Sequence, residues 1–218
     1  MARLERLDER YRGHHAGEKQ EFVFGGDERG DLLASLVGGP GKRVLDIGCR
    51  TGMLTRYYAT GNDVTGVDVD RDALEVAANE LGIATVWADA EAGLPFDNGS
   101  FDVVVAGEVL EHLADPVRVV ADVRRVLRPG GRFVGSVPNA FRLKSRLAYV
   151  RGRYPVDWDP THLQLFTPHA LRELFAGFED VRISFAVGRL TRLHPRLLAN
   201  VQIFAARRPS TTSEADNA

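Results

Sequence analysis

Four side chains in this sequence have the types and spacing of a cation site. Glu108, Glu111 and His112 lie close together, and His162 follows later in the chain. If the chain turns helical after Gly107, the first three stand at i, i+3 and i+4 and share one helix face. Two carboxylates and two imidazoles can hold a divalent cation, and the oxygen ligands favour magnesium or manganese. A competing interpretation keeps Glu108 beside a cofactor and makes His112 a metal-free general base or a packing group.

A second group of residues surrounds the short apolar run from Val44 to Ile47. The run predicts a strand buried on both faces, and it contains Asp46. The turn that follows carries Gly48 and Gly52 and leads into a helix-like stretch. Strand, glycine turn and helix form a nucleotide-binding arrangement, since the glycines admit a ligand and the helix N-terminus offers N–H groups.

The dinucleotide-binding fingerprint G-x-G-x-x-G fails in this turn. Counting from Gly48, Arg50 and Met53 stand where the fingerprint needs its second and third glycines. Asp46 would also repel a pyrophosphate, whereas a carboxylate suits a ligand with a positive charge or a free amine. The turn therefore disfavours a dehydrogenase.

Acidic residues also follow the next two predicted strands. Asp68 lies near the end of the run 64–69, where a carboxylate can accept both hydroxyls of a ribose. Asp89 comes directly after the run 83–88. Either residue alone also fits an ordinary exposed turn, but their positions at strand ends indicate a ligand that contains adenosine.

The stretch RVLDIGCRTG resembles motif I of the class I S-adenosylmethionine (SAM) methyltransferases, VLDxGCGxG, and the resemblance extends from about Val44 to Pro138. It includes GLPFDNGSFD, similar to motif III, and RVLRPGGRFVGSVPN. The resemblance implies SAM as the cofactor, with the first acid near the methionine part, the glycines against the cofactor and the motif III acid facing the adenine amine. The implied cofactor-binding residues are Asp46, Gly48, Arg50, Gly52, Asp68, Asp89, Ala90 and Glu108. Arg50 replaces the usual glycine, and we expect it to be tolerated only if the backbone there does not need positive φ.

The segment EVLEHL resembles the E-x-x-E-H…H metal site of small-RNA 2′-O-methyltransferases and of some ubiquinone-pathway O-methyltransferases. The matching residues are Glu108, Glu111, His112 and His162, with magnesium or manganese as the implied metal. Such a metal would bind two neighbouring oxygens of the substrate and lower the pKa of the attacking one. The resemblance thus implies catalytic roles for His112 and His162.

Strands and helices alternate along the part of the chain that must position these residues. Apolar runs predict strands at 44–47, 64–69, 83–88, 101–106 and 132–137, with helices between them. This alternation requires a parallel sheet with helices on both faces. Two last runs, 181–187 and 200–206, are expected to form an antiparallel edge pair. The predicted fold is α/β, a Rossmann-like class I methyltransferase fold with a seven-stranded, mostly parallel sheet.

We expect one SAM-dependent methyltransferase domain over residues 1–208, followed by a disordered tail at 209–218. Within the domain, 1–40 is expected to form an N-terminal helical lid and 138–166 a substrate-side insertion. The segment 139–153 and the loop joining the last two strands, with Arg192 and Arg196, are basic. Both indicate either an anionic acceptor or a solvated basic surface.

Composition narrows the classes of function. The chain has 218 residues and a formal charge of −2, which gives no global case for binding nucleic acid or membrane. Its one cysteine, Cys49, fits a reducing compartment. We find neither a long apolar span nor an apolar signal core, so we expect a cytoplasmic protein with no membrane partner.

These patterns predict a SAM-dependent methyltransferase that acts on an oxygen nucleophile of a small, anionic acceptor. In-line displacement of a methyl group from a sulfonium needs aligned partners and a deprotonated nucleophile, so Cys49 is not expected to act as a nucleophile. The basic segment keeps an RNA methyltransferase as an alternative. A SAM-binding protein without catalysis is the other alternative.

Overall fold

The computed structural model describes residues 2–15, 25–154, 159, 161–188 and 190–210, so the predicted tail beyond residue 210 lies outside the described part. The helices are α1 (Ala2–His15), α2 (Gly26–Val37), α3 (Arg56–Ala59), α4 (Arg71–Leu81), α5 (Pro116–Val126), α6 (Leu143–Val150), α7 (Pro168–Leu174) and α8 (Pro195–Leu198). The strands are β1 (Arg43–Ile47), β2 (Asp63–Asp68), β3 (Ala84–Trp87), β4 (Phe101–Gly107), β5 (Leu127–Pro138), β6 (Glu179–Ala186) and β7 (Val201–Arg207).

All seven strands form one sheet in the order β3-β2-β1-β4-β5-β7-β6. The first five strands along the chain pair in parallel, and β7 pairs antiparallel with both β5 and β6. The predicted Rossmann-like fold, with a mostly parallel sheet and an antiparallel edge pair, is confirmed.

The central strands bury both of their faces, as their continuous apolar runs require. Val44 faces one hydrophobic cluster together with Leu33 of α2. Its neighbour Leu45 faces a second, larger cluster together with Val123 of α5 and Phe175 beside α7. This alternation places helices on both sides of β1 and leaves its carboxyl end as the open edge.

Two elements differ from the sequence-based expectation. The helix-like stretch expected after the glycine turn is reduced to α3, because turns occupy most of the stretch before Arg56. β5 begins at Leu127 rather than Arg132, since Leu127 already pairs with Phe101 ahead of an irregularity in the register. Neither difference moves the carboxyl end of β1 or β5.

The turn after β1 is built on left-handed backbone. Gly48, Arg50 and Gly52 have φ angles of 71°, 49° and 81°. A Cβ at Gly48 would lie 2.5 Å from Cγ2 of Val109, so a side chain there would meet the loop after β4. Arg50 therefore does not meet the condition set for it from the sequence, because its backbone has positive φ. Its N–H donates to Oδ2 of Asp68 at 2.9 Å, and this hydrogen bond helps hold the strained backbone.

No helix in the described part of the chain combines the length and the apolar character that crossing a membrane requires.

The left-handed Arg50 leads to a stability prediction. A non-glycine residue in this conformation costs about 1–2 kcal/mol of folding free energy. Glycine avoids that cost but recovers only part of it, because it also gives the unfolded chain more conformational entropy. We expect Arg50→Gly to have a free energy of unfolding about 1 kcal/mol higher than Arg50→Ala, because both variants delete the same side chain and only glycine relieves the backbone. Urea unfolding without cofactor measures the difference. Equal stability of the two variants would contradict the assigned strain.

Candidate functional site

A cavity of about 710 Å³ opens at the carboxyl ends of β1, β2 and β4. The strand order reverses between β2 and β4 on either side of β1, which is where open α/β sheets bind ligands. The cavity lining includes these residues named from the sequence: Asp46, Gly48, Arg50, Asp68, Asp89, Ala90, Glu108, His112 and His162. Gly52 and Glu111 are not part of that lining, although Glu111 lies against His112.

Asp68, the last residue of β2, is held by the backbone around it. Its two carboxylate oxygens accept hydrogen bonds from the N–H groups of Arg50 and Asp70, each at 2.9 Å. Burial raises the pKa of Asp68, and the hydrogen bonds from these amides oppose that rise. The carboxylate therefore has one fixed orientation at the cavity wall.

Asp46 lies one residue before the end of β1 and is almost fully buried. The hydroxyl groups of Thr55 and Tyr58 donate to its Oδ2 at 2.6 and 2.8 Å. Burial raises the pKa of Asp46 to about 6, even though both hydrogen bonds lower it. A cationic ligand in the cavity would favour the ionised form.

Asp89 caps the short turn after β3 and meets the N-terminal helix. Its Oδ1 accepts from the N–H of Glu91 at 2.9 Å, while Nε of Arg3 lies 2.8 Å from its Oδ2. Arg3 also pairs with Glu91 at 2.8 Å. Because α1 contributes Arg3, Leu7 and Tyr11 to the lining, this helix lies across the cavity at the Asp89 end.

Arg29 of α2 is a site residue that the sequence reasoning missed. Its side chain is buried, and Nη1 lies 3.3 Å from Oε1 of Glu108, which also accepts from the hydroxyl of Ser136 at 2.8 Å. Among the described residues, Nε of Arg29 has no hydrogen-bond partner. The spacing Arg29, Leu33, Val37 puts this arginine on the buried face of α2, and that signal was present in the sequence.

A compact group of possible cation ligands lies on the opposite side of the cavity from β2. Glu111, His112 and His162 each offer one ligand atom, and these atoms lie within 4.8 Å of one another. Glu111 is 1% exposed, and neither carboxylate oxygen has a hydrogen-bond partner among the described residues. Burial, followed by the nearby charge of Glu108, holds the pKa of Glu111 well above its ordinary value.

Glu108 does not join that group. The helix considered from Glu108 onward does not form: Glu108 has a φ of 60°, and only a 3-10 turn spans Leu110–His112. Glu108 instead points to Arg29 and Ser136, as described above. Glu108 also lines the cavity.

A hydrogen-bond chain orients His112. The hydroxyl of Thr161 donates to Oδ1 of Asp159 at 2.7 Å and lies 3.0 Å from Nδ1 of His112. The carbonyl oxygen of Thr161 also lies 3.3 Å from the same nitrogen. Because a carbonyl can only accept, Nδ1 carries a proton, and in the neutral imidazole this leaves the lone pair on Nε2. This is the tautomer that a metal ligand or a general base needs.

The segment after β5 forms another wall of the cavity. Arg142 lines it from the N-cap of α6, Ser145 and Tyr149 line it from α6 itself, and Leu163 and Leu165 line it from the segment before α7. Burial lowers the pKa of Arg142, which is half-buried. Arg192 and Arg196 are exposed and are not part of the lining.

Cys49 is a buried thiol in the turn after β1. Burial, together with the charges of Asp46 and Asp68, raises its pKa well above the ordinary value. The thiolate is therefore disfavoured, in agreement with the prediction that Cys49 is not a nucleophile.

Comparison with known proteins identifies the family to which this chain is similar. Residues 45–135 match a family model described as a methyltransferase domain. A ubiquinone biosynthesis O-methyltransferase from Pectobacterium atrosepticum is 37% identical over 169 residues, which cover 73% of this chain and 68% of the relative. A protein of the same name from Ralstonia nicotianae is 34% identical over 154 residues, with 68% and 65% covered.

The chain spans only part of several curated relatives, with 65%, 58% and 50% of their length covered in three of them.

Solved structures agree on the fold. A SAM-dependent methyltransferase from Archaeoglobus fulgidus superposes with a TM-score of 0.65 at 20% identity, covering 82% of this chain and 94% of the other. One from Thermotoga maritima, called a possible histamine N-methyltransferase, gives 0.67 at 19% identity, with 95% and 100% covered. The chain belongs to the class I SAM-dependent methyltransferases.

Proposed function

We propose that this protein transfers the methyl group of SAM to an oxygen atom of a small, anionic acceptor. The observation that carries the proposal is the convergence of Asp46, Asp68 and Asp89 on one cavity, with the Glu111, His112 and His162 group at its other side. The curated relatives named above as O-methyltransferases support oxygen as the accepting atom.

SAM is the cofactor of this family, and the residues present fit it. The buried acid Asp46 suits a cationic ligand, and the unpartnered Nε of the buried Arg29 suits a carboxylate. Asp68 would hold the ribose hydroxyls and Asp89 the adenine amine, as the family resemblance implies. When bound, SAM supplies an electrophilic methyl group on a sulfonium.

The chain's own residues would align the acceptor and keep its nucleophile deprotonated. His112 presents a basic Nε2 because its Nδ1 is committed to Thr161. Arg142 on the cavity wall supports an acceptor that carries an acidic group, since a partly buried guanidinium pairs readily with a carboxylate. A methyl-transfer screen with labelled SAM over phenols, carboxylates, sugars and RNA would identify the acceptor.

We also propose a divalent cation, magnesium or manganese, held by Glu111, His112 and His162. The support is the buried carboxylate of Glu111, whose oxygens lack hydrogen-bond partners within the described residues and lie against two imidazoles. A buried, unpaired carboxylate is costly, and a cation would compensate it. Such a cation would supply Lewis-acid charge that lowers the pKa of an acceptor hydroxyl. Glu108 lies apart from the three, paired with Arg29, so its role is on the cofactor side.

We propose that α1 acts as the lid over the cofactor and that the segment 138–166 contacts the acceptor. The support for the lid is the set of α1 residues in the cavity lining and the ion pairs of Arg3 with Asp89 and Glu91. Tyr11 of α1 also packs edge-to-face against His112, with 6.2 Å between the ring centroids. The proposed lid therefore reaches the proposed acceptor side of the cavity.

The first prediction concerns cofactor affinity. Asp68→Asn removes the charged acceptor at the end of β2, and we expect it to weaken SAM binding by about 1.5–3 kcal/mol in calorimetry. The matched control is Asp102→Asn, since Asp102 lies near the start of β4 and pairs with Arg43 and Arg128. The control should bind SAM like the native protein. Tight binding of NAD with none of SAM would contradict the proposal.

A second prediction concerns pH. Because burial raises the pKa of Asp46 to about 6, the carboxyl is protonated below that pH in the ligand-free protein. A cationic ligand favours the ionised form, so SAM binding releases a proton below pH 6. Affinity should therefore rise up to about tenfold per pH unit towards pH 6 and level off above it. Calorimetric titrations at several pH values measure the trend. Asp46→Asn should flatten it, and an unchanged trend in that variant would assign the proton to another group.

A third prediction tests the cation. Mn²⁺ titration followed by electron paramagnetic resonance should reveal one bound ion in the native protein, and His162→Ala should weaken its affinity at least tenfold, because one of three ligands is lost. His169→Ala is the control, since that imidazole is 83% exposed on α7. Full methyl transfer in chelator, with no metal recovered from fresh protein, would leave only the general-base role of His112.

A further inference from the structure

Helix α6 has two faces with different surroundings. Ser145 and Tyr149 line the cavity, whereas Leu143, Leu147 and Val150 point to the other side and are 42%, 45% and 86% exposed. The three exposed residues stand at i, i+4 and i+7 and form one stripe along the helix. Scattered apolar residues are common on protein surfaces, but a stripe of this kind marks a contact surface.

Three further exposed apolar side chains lie in segments that follow α6 or lead into its neighbour α8. Tyr154, shortly after the helix, is 73% exposed. Helix α8 packs against α6, and the chain that leads into α8 carries Leu190 and Leu193, which are 57% and 77% exposed. We call these six side chains the rim surface: Leu143, Leu147, Val150, Tyr154, Leu190 and Leu193.

The stretches that carry the rim surface are rich in basic side chains and contain no acidic residue. The sequence has no Asp or Glu in 139–154 or in 190–200, although the whole chain has a formal charge of −2. The exposed basic residues of these stretches are Lys144, Arg146, Arg151, Arg153, Arg192 and Arg196. Within the described residues, none of these six forms an ion pair, so their charge is available to a partner.

Exposed aliphatic side chains among unpaired cations match one kind of partner best. Single-stranded nucleic acid binds aromatic platforms on which bases stack, whereas four of the six rim residues are leucine and one is valine. A helix with an apolar stripe flanked by Lys and Arg lies in the headgroup region of a bilayer, with the cations on anionic lipids. We propose that the rim surface docks this protein on an anionic phospholipid bilayer.

This docking is peripheral and differs from a membrane span, and it departs from the sequence-based expectation of no membrane partner. Leu143, Leu147 and Val150 would enter the headgroup boundary, and the basic residues would pair with lipid phosphates. Because α6 separates the rim surface from the cavity, docking brings the acceptor side of the cavity next to the lipid. Acceptors with both an apolar part and an acidic part would be concentrated there.

The experiment is co-sedimentation of the full chain with two kinds of vesicle, phosphatidylcholine alone and phosphatidylcholine mixed with phosphatidylglycerol. We expect binding to the mixed vesicles only, weakened by added salt. Val150→Asp should weaken it at least tenfold. Val117→Asp is the matched control, because Val117 is 67% exposed on α5 and the same substitution there leaves the rim surface intact. Lys144→Gln with Arg151→Gln should weaken binding and flatten its salt dependence.

Three results would overturn the proposal. The first is equal binding to both vesicle types. The second is binding to an RNA oligonucleotide without binding to vesicles. The third is a protein that does not bind vesicles but forms a dimer, which Val150→Asp dissociates. SAM binding by Val150→Asp, measured by calorimetry, confirms that the variant is folded. Vesicle binding does not require methyl transfer, so this proposal and the proposed function can fail separately.

Discussion

The reversal of strand order at β1 is the constraint on which the rest of the molecule depends. β1 pairs with β2 on one side and with β4 on the other, so the strand order reverses at β1. The cavity lies at the carboxyl ends of these three strands. Asp46, Asp68 and Glu108 reach it because each lies at or next to the end of one of these three strands. A slip of one residue in any strand would turn its acid away.

Acidic side chains gather in this cavity, and most of them are compensated by the protein itself. Asp68 is held by two backbone amides, Asp46 by two hydroxyl groups, Asp89 by a guanidinium of α1, and Glu108 by the guanidinium of α2. Glu111 differs, because no such partner lies among the described residues. Glu111 is therefore the one of these five acids whose carboxylate has no compensating group among the described residues. A buried carboxylate in that condition calls for a cation or a proton.

The sheet and most of the cofactor side were predictable from the sequence, because buried parallel strands have continuous apolar runs and each acid sits at a strand end. Local backbone conformation was not predictable from the sequence. Arg50 and Glu108 both adopt positive φ, which side-chain type does not indicate and which long-range contacts impose. Arg29 was missed because the motif does not include it, although helical spacing placed it on a buried face. The link between Thr161 and His112 joins two segments that are far apart in the chain. The periodic spacing of apolar residues does not indicate such a contact.

One backbone contact has a thermodynamic consequence. The N–H groups of Leu163 and Gln164 both donate to the carbonyl oxygen of Glu111, at 2.7 and 3.0 Å. The segment that carries His162 is therefore attached to the turn that carries Glu111 and His112 by main-chain bonds that no side-chain substitution removes directly. If the three ligands hold a cation as proposed, acceptor contacts with that segment and cation affinity would be reciprocally coupled. An acceptor that orders the segment would tighten the cation site, and a cation would tighten the acceptor site by the same factor.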